Sequence, residues 1–172
     1  MTVEQAIVTA ITFEARVRDV YSEAAAAATD PAAKRVLEVL SREEQGHLDY
    51  LESRRDEWTR TGRVTPAALA TAIPSPERLA EGVRHLKARL PMTEEQRVAA
   101  LKTLRGAEAA ERDTAAFYRR MVDTIQDADA RAMFARFLEI EQGHAAIVAA
   151  EIDSVTGLGF WFDTREFDLE AG

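Results

Sequence analysis

Apolar side chains recur every three or four residues along four stretches of this chain, the spacing that lines one face of an α-helix. Over about residues 3–28 the stripe is Ile7, Ile11, Val17, Tyr21, Ala24 and Ala28. Over 31–60 it is Leu37, Leu40, Leu48, Leu51 and Trp58. Over 93–125 it is Leu101, Leu104, Ala115, Tyr118, Val122 and Ile125, and over 127–156 it is Met133, Phe134, Phe137, Ala145, Val148 and Ile152. Each stripe is interrupted near its middle by ionisable residues. These are Glu14 in the first, Glu44 and His47 in the second, Glu108 and Glu111 in the third, and Glu141 and His144 in the fourth.

Local chemistry marks the helix ends. Asp30-Pro31 supplies an N-cap and a proline at the first helical position. Gly62 is a stop signal, Thr93 with Gln96 forms a capping box, and Asp127 caps the fourth helix, with Gly157 after it. Residues 61–92 are broken by Pro66, Pro74, Pro76 and Pro91. We read them as a crossover containing a short helix over 77–90, long enough to run the length of a bundle. The pattern predicts an all-α four-helix bundle over residues 1–156, followed by a non-helical tail over 157–172. That tail holds Phe160, Trp161, Phe162 and Phe167, and is expected to pack on the bundle end or on a second subunit.

The chain repeats itself. Glu44-Gln45-Gly46-His47 recurs as Glu141-Gln142-Gly143-His144, an offset of 97 residues. The same offset carries Glu14 to Glu111, Tyr21 to Tyr118 and Asp30 to Asp127, with no gap between 2–62 and 99–159. Two copies of a helical hairpin are therefore expected, each with a Glu on its first helix and a Glu-x-x-His on its second. Glu108 aligns with Ile11 and belongs to the second copy only.

Composition narrows the classes. A chain of 172 residues, 47% hydrophobic and 30% charged, can bury a core. The net charge of −8 argues against nucleic-acid binding. There is no apolar run of membrane-spanning length and no signal-peptide pattern at the N-terminus, so a cytoplasmic location is expected. The absence of Cys excludes disulfides, iron–sulfur clusters and a rubredoxin-type iron site within the sequence.

The interrupting residues carry the chemistry. A Glu and a His three apart on a helix project from one face. A carboxylate and a neutral imidazole aimed at one point suit a divalent first-row metal. Burying five carboxylates together without partners would be prohibitive, and two divalent cations would resolve the conflict. The candidate ligands are Glu14, Glu44, His47, Glu108, Glu111, Glu141 and His144. Iron and manganese both suit this set. His85 has no Glu three residues before it and is read as a surface histidine. Gly46 and Gly143 lie inside helices, where glycine costs about 1 kcal/mol relative to alanine. A collision between any side chain there and a neighbouring helix or the site is one explanation, and duplicated ancestry is the other.

At these residues the chain resembles the ferritin-like diiron superfamily, whose bundles use a Glu from each of two helices and a Glu-x-x-His from each of the others. The likeness covers all four helices. Within the superfamily, the Glu108 and Glu111 pair is similar to the rubrerythrin pattern and differs from that of bacterioferritins. The resemblance implies two iron ions bridged by Glu44 and Glu141, with Glu14, Glu108, Glu111, His47 and His144 as terminal ligands. One third-helix Glu and a His would exchange on redox change, and Tyr21 and Tyr118 would hydrogen-bond to carboxylates. It further implies an oxidoreductase that reduces hydrogen peroxide with electrons from an external donor protein, since no rubredoxin domain is present, and a homodimer. Two other readings stand beside it. One is a ferroxidase or iron-handling protein that uses O2. The other is a helical interaction module with a structural metal.

Overall fold

The computed structural model describes residues 1–65, 68, 69, 71 and 92–156. Among these residues four helices are formed: α1 (Val3–Ala27), α2 (Pro31–Thr61), α3 (Glu94–Thr124) and α4 (Ala128–Thr156). Their starts follow from the local sequence. The carboxylates of Asp30 and Asp127 accept from the backbone N–H groups of Ala33 and Ala130 at 3.2 and 2.8 Å, the N-cap geometry that satisfies otherwise orphaned donors. Thr93 and Gln96 close a reciprocal capping box, and so do Thr2 and Gln5 at the head of α1. Gly62 adopts φ +66° and donates its N–H to the Trp58 carbonyl at 2.8 Å. That left-handed turn ends α2 and favours glycine.

The helices form an all-α bundle in which α1 packs on α2, α3 on α4, and α1 on α3. Two apolar clusters fill it. One joins Ile7 and Ala10 of α1 with Leu51 of α2, Phe117 and Met121 of α3, and Met133, Phe134 and Phe137 of α4. The other joins Val17 and Ala24 of α1 with Leu37 and Leu40 of α2, Leu104 and Ala107 of α3, and Val148 of α4. The first holds the start of α1 and the end of α3, the second the reverse, so these two helices are antiparallel. The end of α2 and the start of α3 lie at opposite ends of the bundle. Most of the expected crossover, including its short helix over 77–90 and His85, and the aromatic tail lie outside the described residues. Among the described residues, no helix is long and apolar enough to cross a membrane.

Fully burying each large apolar side chain contributes about 1.5–3 kcal/mol. Both clusters therefore clamp whatever lies between them, and what lies between them is polar. Glu14 sits between Ala10 and Val17, Glu44 between Leu40 and Leu51, and Glu141 between Phe137 and Val148, all three carboxylates fully buried.

Two expectations change. On α3 the buried face is Leu104, Ala107, Ala110, Glu111, Thr114, Phe117, Tyr118 and Met121. Leu101, Glu108, Ala115 and Val122 lie on its flank, only partly buried. At Gly46 an added Cβ would meet nothing within 4 Å, so the expected collision is absent and the residue faces open space. Gly46→Ala should therefore stabilise the protein by about 1 kcal/mol, measured as a higher urea midpoint at unchanged slope. A lower midpoint would show that this glycine is needed for some contact.

Candidate metal centre

Six side chains converge at mid-bundle: Glu14 from α1, Glu44 and His47 from α2, Glu111 from α3, and Glu141 and His144 from α4. Each is at most 1% exposed. The helical period puts each Glu-x-x-His pair on the inner face, and the flanking apolar residues pull that face into the core.

The side chains form two overlapping groups. The ligand atoms of Glu14, Glu44, His47 and Glu141 lie within 4.8 Å of one another, and so do those of Glu44, Glu111, Glu141 and His144. Glu44 and Glu141 belong to both groups. Each histidine turns its Nδ1 inward. His47 Nδ1 is 3.0 Å from Glu14 Oε2, 3.0 Å from Glu44 Oε2 and 3.5 Å from Glu141 Oε1. His144 Nδ1 is 2.7 Å from Glu44 Oε1 and 3.7 Å from Glu111 Oε1. The two rings stack with centroids 5.5 Å apart.

Tyr21 and Tyr118 brace the outer carboxylates across the hairpins. The Tyr21 hydroxyl of α1 donates to Glu111 of α3, and the Tyr118 hydroxyl of α3 donates to Glu14 of α1. Burial, reinforced by the nearby carboxylate charges, pushes both hydroxyls well above their ordinary 10. They are hydrogen-bond donors, not phenolates.

The electrostatics are strained without a cation. Burial first, and then the charge of Glu14, pushes the Glu44 and Glu141 carboxyls well above the usual carboxylate range. Burial alone would lower His47, but the Glu14 and Glu44 carboxylates outweigh it and raise the imidazole from an ordinary 6.5 to about 9. Burial would likewise raise Glu14, yet its bonds to His47, Glu44 and Tyr118 pull it below 4.5. Among the described residues several polar atoms make no contact with hydrogen-bond geometry: Glu44 Oε1, Glu111 Oε2, both Glu141 oxygens and His144 Nδ1. The 2.7 Å approach of His144 Nδ1 to Glu44 Oε1 is an ion-pair contact without that geometry. Buried polar atoms are rarely left so. These orphans point inward from three helices, α2, α3 and α4. Four carboxylates carry four negative charges when ionised, which two divalent cations balance, and hard oxygens with imidazole nitrogen suit first-row metals. The residues present can hold metal ions.

Of the seven sequence candidates, six meet here and Glu108 does not. Its carboxylate is 31% exposed and pairs with Arg112 at 3.1 Å. Its side chain follows the α3 flank, as its repeat counterpart Ile11 follows the flank of α1. Sequence reasoning missed Glu43, whose Oε2 lies 2.9 Å from the outer nitrogen of His144. The one signal was its position between Leu40 and His47 at helical spacing, just before Glu44. Comparisons with family models, with curated proteins and with solved structures give no match to this chain.

Proposed function

We propose that this protein is a diiron-carboxylate oxidoreductase of rubrerythrin type, which reduces hydrogen peroxide with electrons from an external donor protein. The observation that carries this reading is the pair of four-ligand groups that share Glu44 and Glu141. Glu44 and Glu141 would be shared by two ions, with Glu14 and His47 completing one set of ligands and Glu111 and His144 the other. Two ferrous ions held there would supply the two electrons that, with two protons, convert one hydrogen peroxide to two waters.

The chain's own contribution is to bind, orient and enclose. Tyr118 and Tyr21 fix the orientation of Glu14 and Glu111 through donated hydrogen bonds. Phe137 packs edge-on against the His47 ring at 5.3 Å between centroids, and Tyr118 stacks on Phe137 at 5.0 Å. These rings keep bulk water from the carboxylates. Full burial also supports a small substrate. An organic molecule would need an opening beside the six ligands. Among the described residues a cleft of about 250 Å³ lies at the end of the bundle, lined by Ala24, Ala28, Leu37, Ala100 and Leu104, away from the six ligands. Peroxide and O2 are small enough to reach a closed site by local motion of side chains.

Anaerobic titration with Fe(II), followed by one equivalent of peroxide or of O2 in parallel, tests this. Two irons per chain and faster Fe(III) formation with peroxide are expected. Fast oxidation by O2 with release of Fe(III) would replace the reading by ferroxidase activity. Binding of Mn(II) but not Fe(II) would overturn the diiron assignment, and binding of neither would overturn the metal site.

A further inference from the structure

The two halves of the centre are related by the sequence repeat, but they are not equivalent. Both histidines use Nδ1 inward, so their outer Nε2 atoms occupy corresponding places. His144 Nε2 lies 2.9 Å from Glu43 Oε2. The same Glu43 oxygen accepts from the Thr71 hydroxyl at 3.0 Å, and the Glu43 side chain is only 10% exposed. His47 Nε2 is buried and, among the described residues, has no hydrogen-bond partner. The repeat gives the reason. The offset of 97 that takes Glu44 to Glu141 takes Glu43 to Ile140, which is fully buried and offers no acceptor. One hairpin lends the other's histidine a carboxylate, and receives none in return.

The consequence follows from imidazole chemistry. A histidine that ligates through Nδ1 must carry its proton on Nε2. A carboxylate on Nε2 fixes that tautomer, aligns the ring and increases the electron density at Nδ1. A buried N–H with no acceptor supplies neither that alignment nor that added electron density. We propose that Glu43 is a positioning residue that makes the two metal positions unequal, so that the Glu44–Glu111–Glu141–His144 position fills before the Glu14–Glu44–His47–Glu141 position. This rests on the metal-centre reading above and adds an order of filling to it. The Glu44–Glu111–Glu141–His144 group would take the first ion and the Glu14–Glu44–His47–Glu141 group the second.

The test is a binding measurement on the metal-free full-length chain, with Co(II) or Zn(II) as the probe under anaerobic conditions. Calorimetry of the unmodified chain should show two steps whose affinities differ by about 10–100-fold. With one equivalent of Zn(II), the ¹⁵N resonances of His144 should shift before those of His47. Glu43→Ile, which copies the Ile140 environment, should weaken the tighter step by about 10–100-fold and bring the two steps together. Glu43→Gln keeps the shape and one acceptor oxygen, so it should retain an intermediate separation. A role confined to packing would leave the step separation and the order of His shifts intact in both variants. Two equal steps in the unmodified chain, His47 shifting first, or both steps weakening equally in Glu43→Ile would each overturn the proposal while leaving the metal site standing. No binding by the unmodified chain would overturn the metal site itself.

Discussion

Replacing Glu141 by leucine is expected to make the metal-free protein more stable and to abolish its stoichiometric metal binding. Both effects come from one position. Glu141 is fully buried, and among the described residues neither carboxylate oxygen accepts a hydrogen bond. Burial and the charges of Glu14, Glu44 and Glu111 all oppose its ionisation. Leucine removes a desolvated polar group and a repulsive neighbour, and fills a similar volume between Phe137 and Val148. Replacing buried charged groups with apolar residues of like size commonly gains about 1–4 kcal/mol. For a chain of this size, a gain of about 2 kcal/mol raises the melting temperature by roughly 4–8 °C. The same carboxylate belongs to both ligand groups, so its loss strips both positions at once. Glu108→Gln is the matching control. Its carboxylate pairs with Arg112 on the flank of α3, and its removal should leave both metal equivalents bound. Thermal melts with and without chelator, and metal analysis after gel filtration, read these outcomes. A Glu141→Leu protein that melts lower without metal would show that this carboxylate is well satisfied in the apo state. A Glu108→Gln protein that loses a metal equivalent would return Glu108 to the ligand set.

The contrast between Glu141 and Glu108 shows what the sequence could reveal. Glu14, Glu44 and Glu141 stand between large apolar residues at helical spacing, so the buried face they share is unambiguous. The repeat then carries Glu14 to Glu111 and His47 to His144. On α3 the core face is built from Ala107, Ala110 and Thr114, residues that occur equally well inside and outside. The larger Leu101 and Val122 drew the inferred stripe toward the flank, and Glu108 came with them. Helix ends were legible because caps are local: Asp30, Thr93 and Asp127 act within three residues of themselves. Glu43 was not legible because its partner is 101 residues away on another helix. The repeat, which located every other inward carboxylate on the Glu-x-x-His helices, has an isoleucine at the matching place. Gly46 misled in the opposite sense. Its recurrence at Gly143 suggested a packing need, while the space around it is open.

The second large effect is a reversal of pH dependence by metal. Without metal, stability is expected to fall as pH rises from about 5 to 9. Glu44 and Glu141 hold their protons well above the ordinary 4.5 in the folded protein, so above 4.5 the unfolded chain releases protons that the folded chain retains. The folded state then binds more protons, and stability declines with pH. His47 adds to the same slope. Its folded value of about 9 exceeds the ordinary 6.5, so its contribution is complete below 6.5 and is lost as pH passes 9. That single shift corresponds to an effect on the order of 3 kcal/mol. Glu14 runs the other way, but its lowered value confines its window to below 4.5, outside this range. The metal-bound protein obeys the opposite rule. Ligation requires deprotonated carboxylates and neutral imidazoles, so binding releases these same protons and tightens as pH rises. Saturating one position at about 1,000 times its dissociation constant adds about 4 kcal/mol. The gap between the melting temperatures of the metal-bound and metal-free forms should therefore widen from pH 5 to pH 9. Two melting series, one with chelator and one with excess metal, measure it. A metal-free series that is flat or rises with pH would mean that the carboxylates do not share retained protons. A gap that stays constant would mean that the metal binds somewhere other than this cluster.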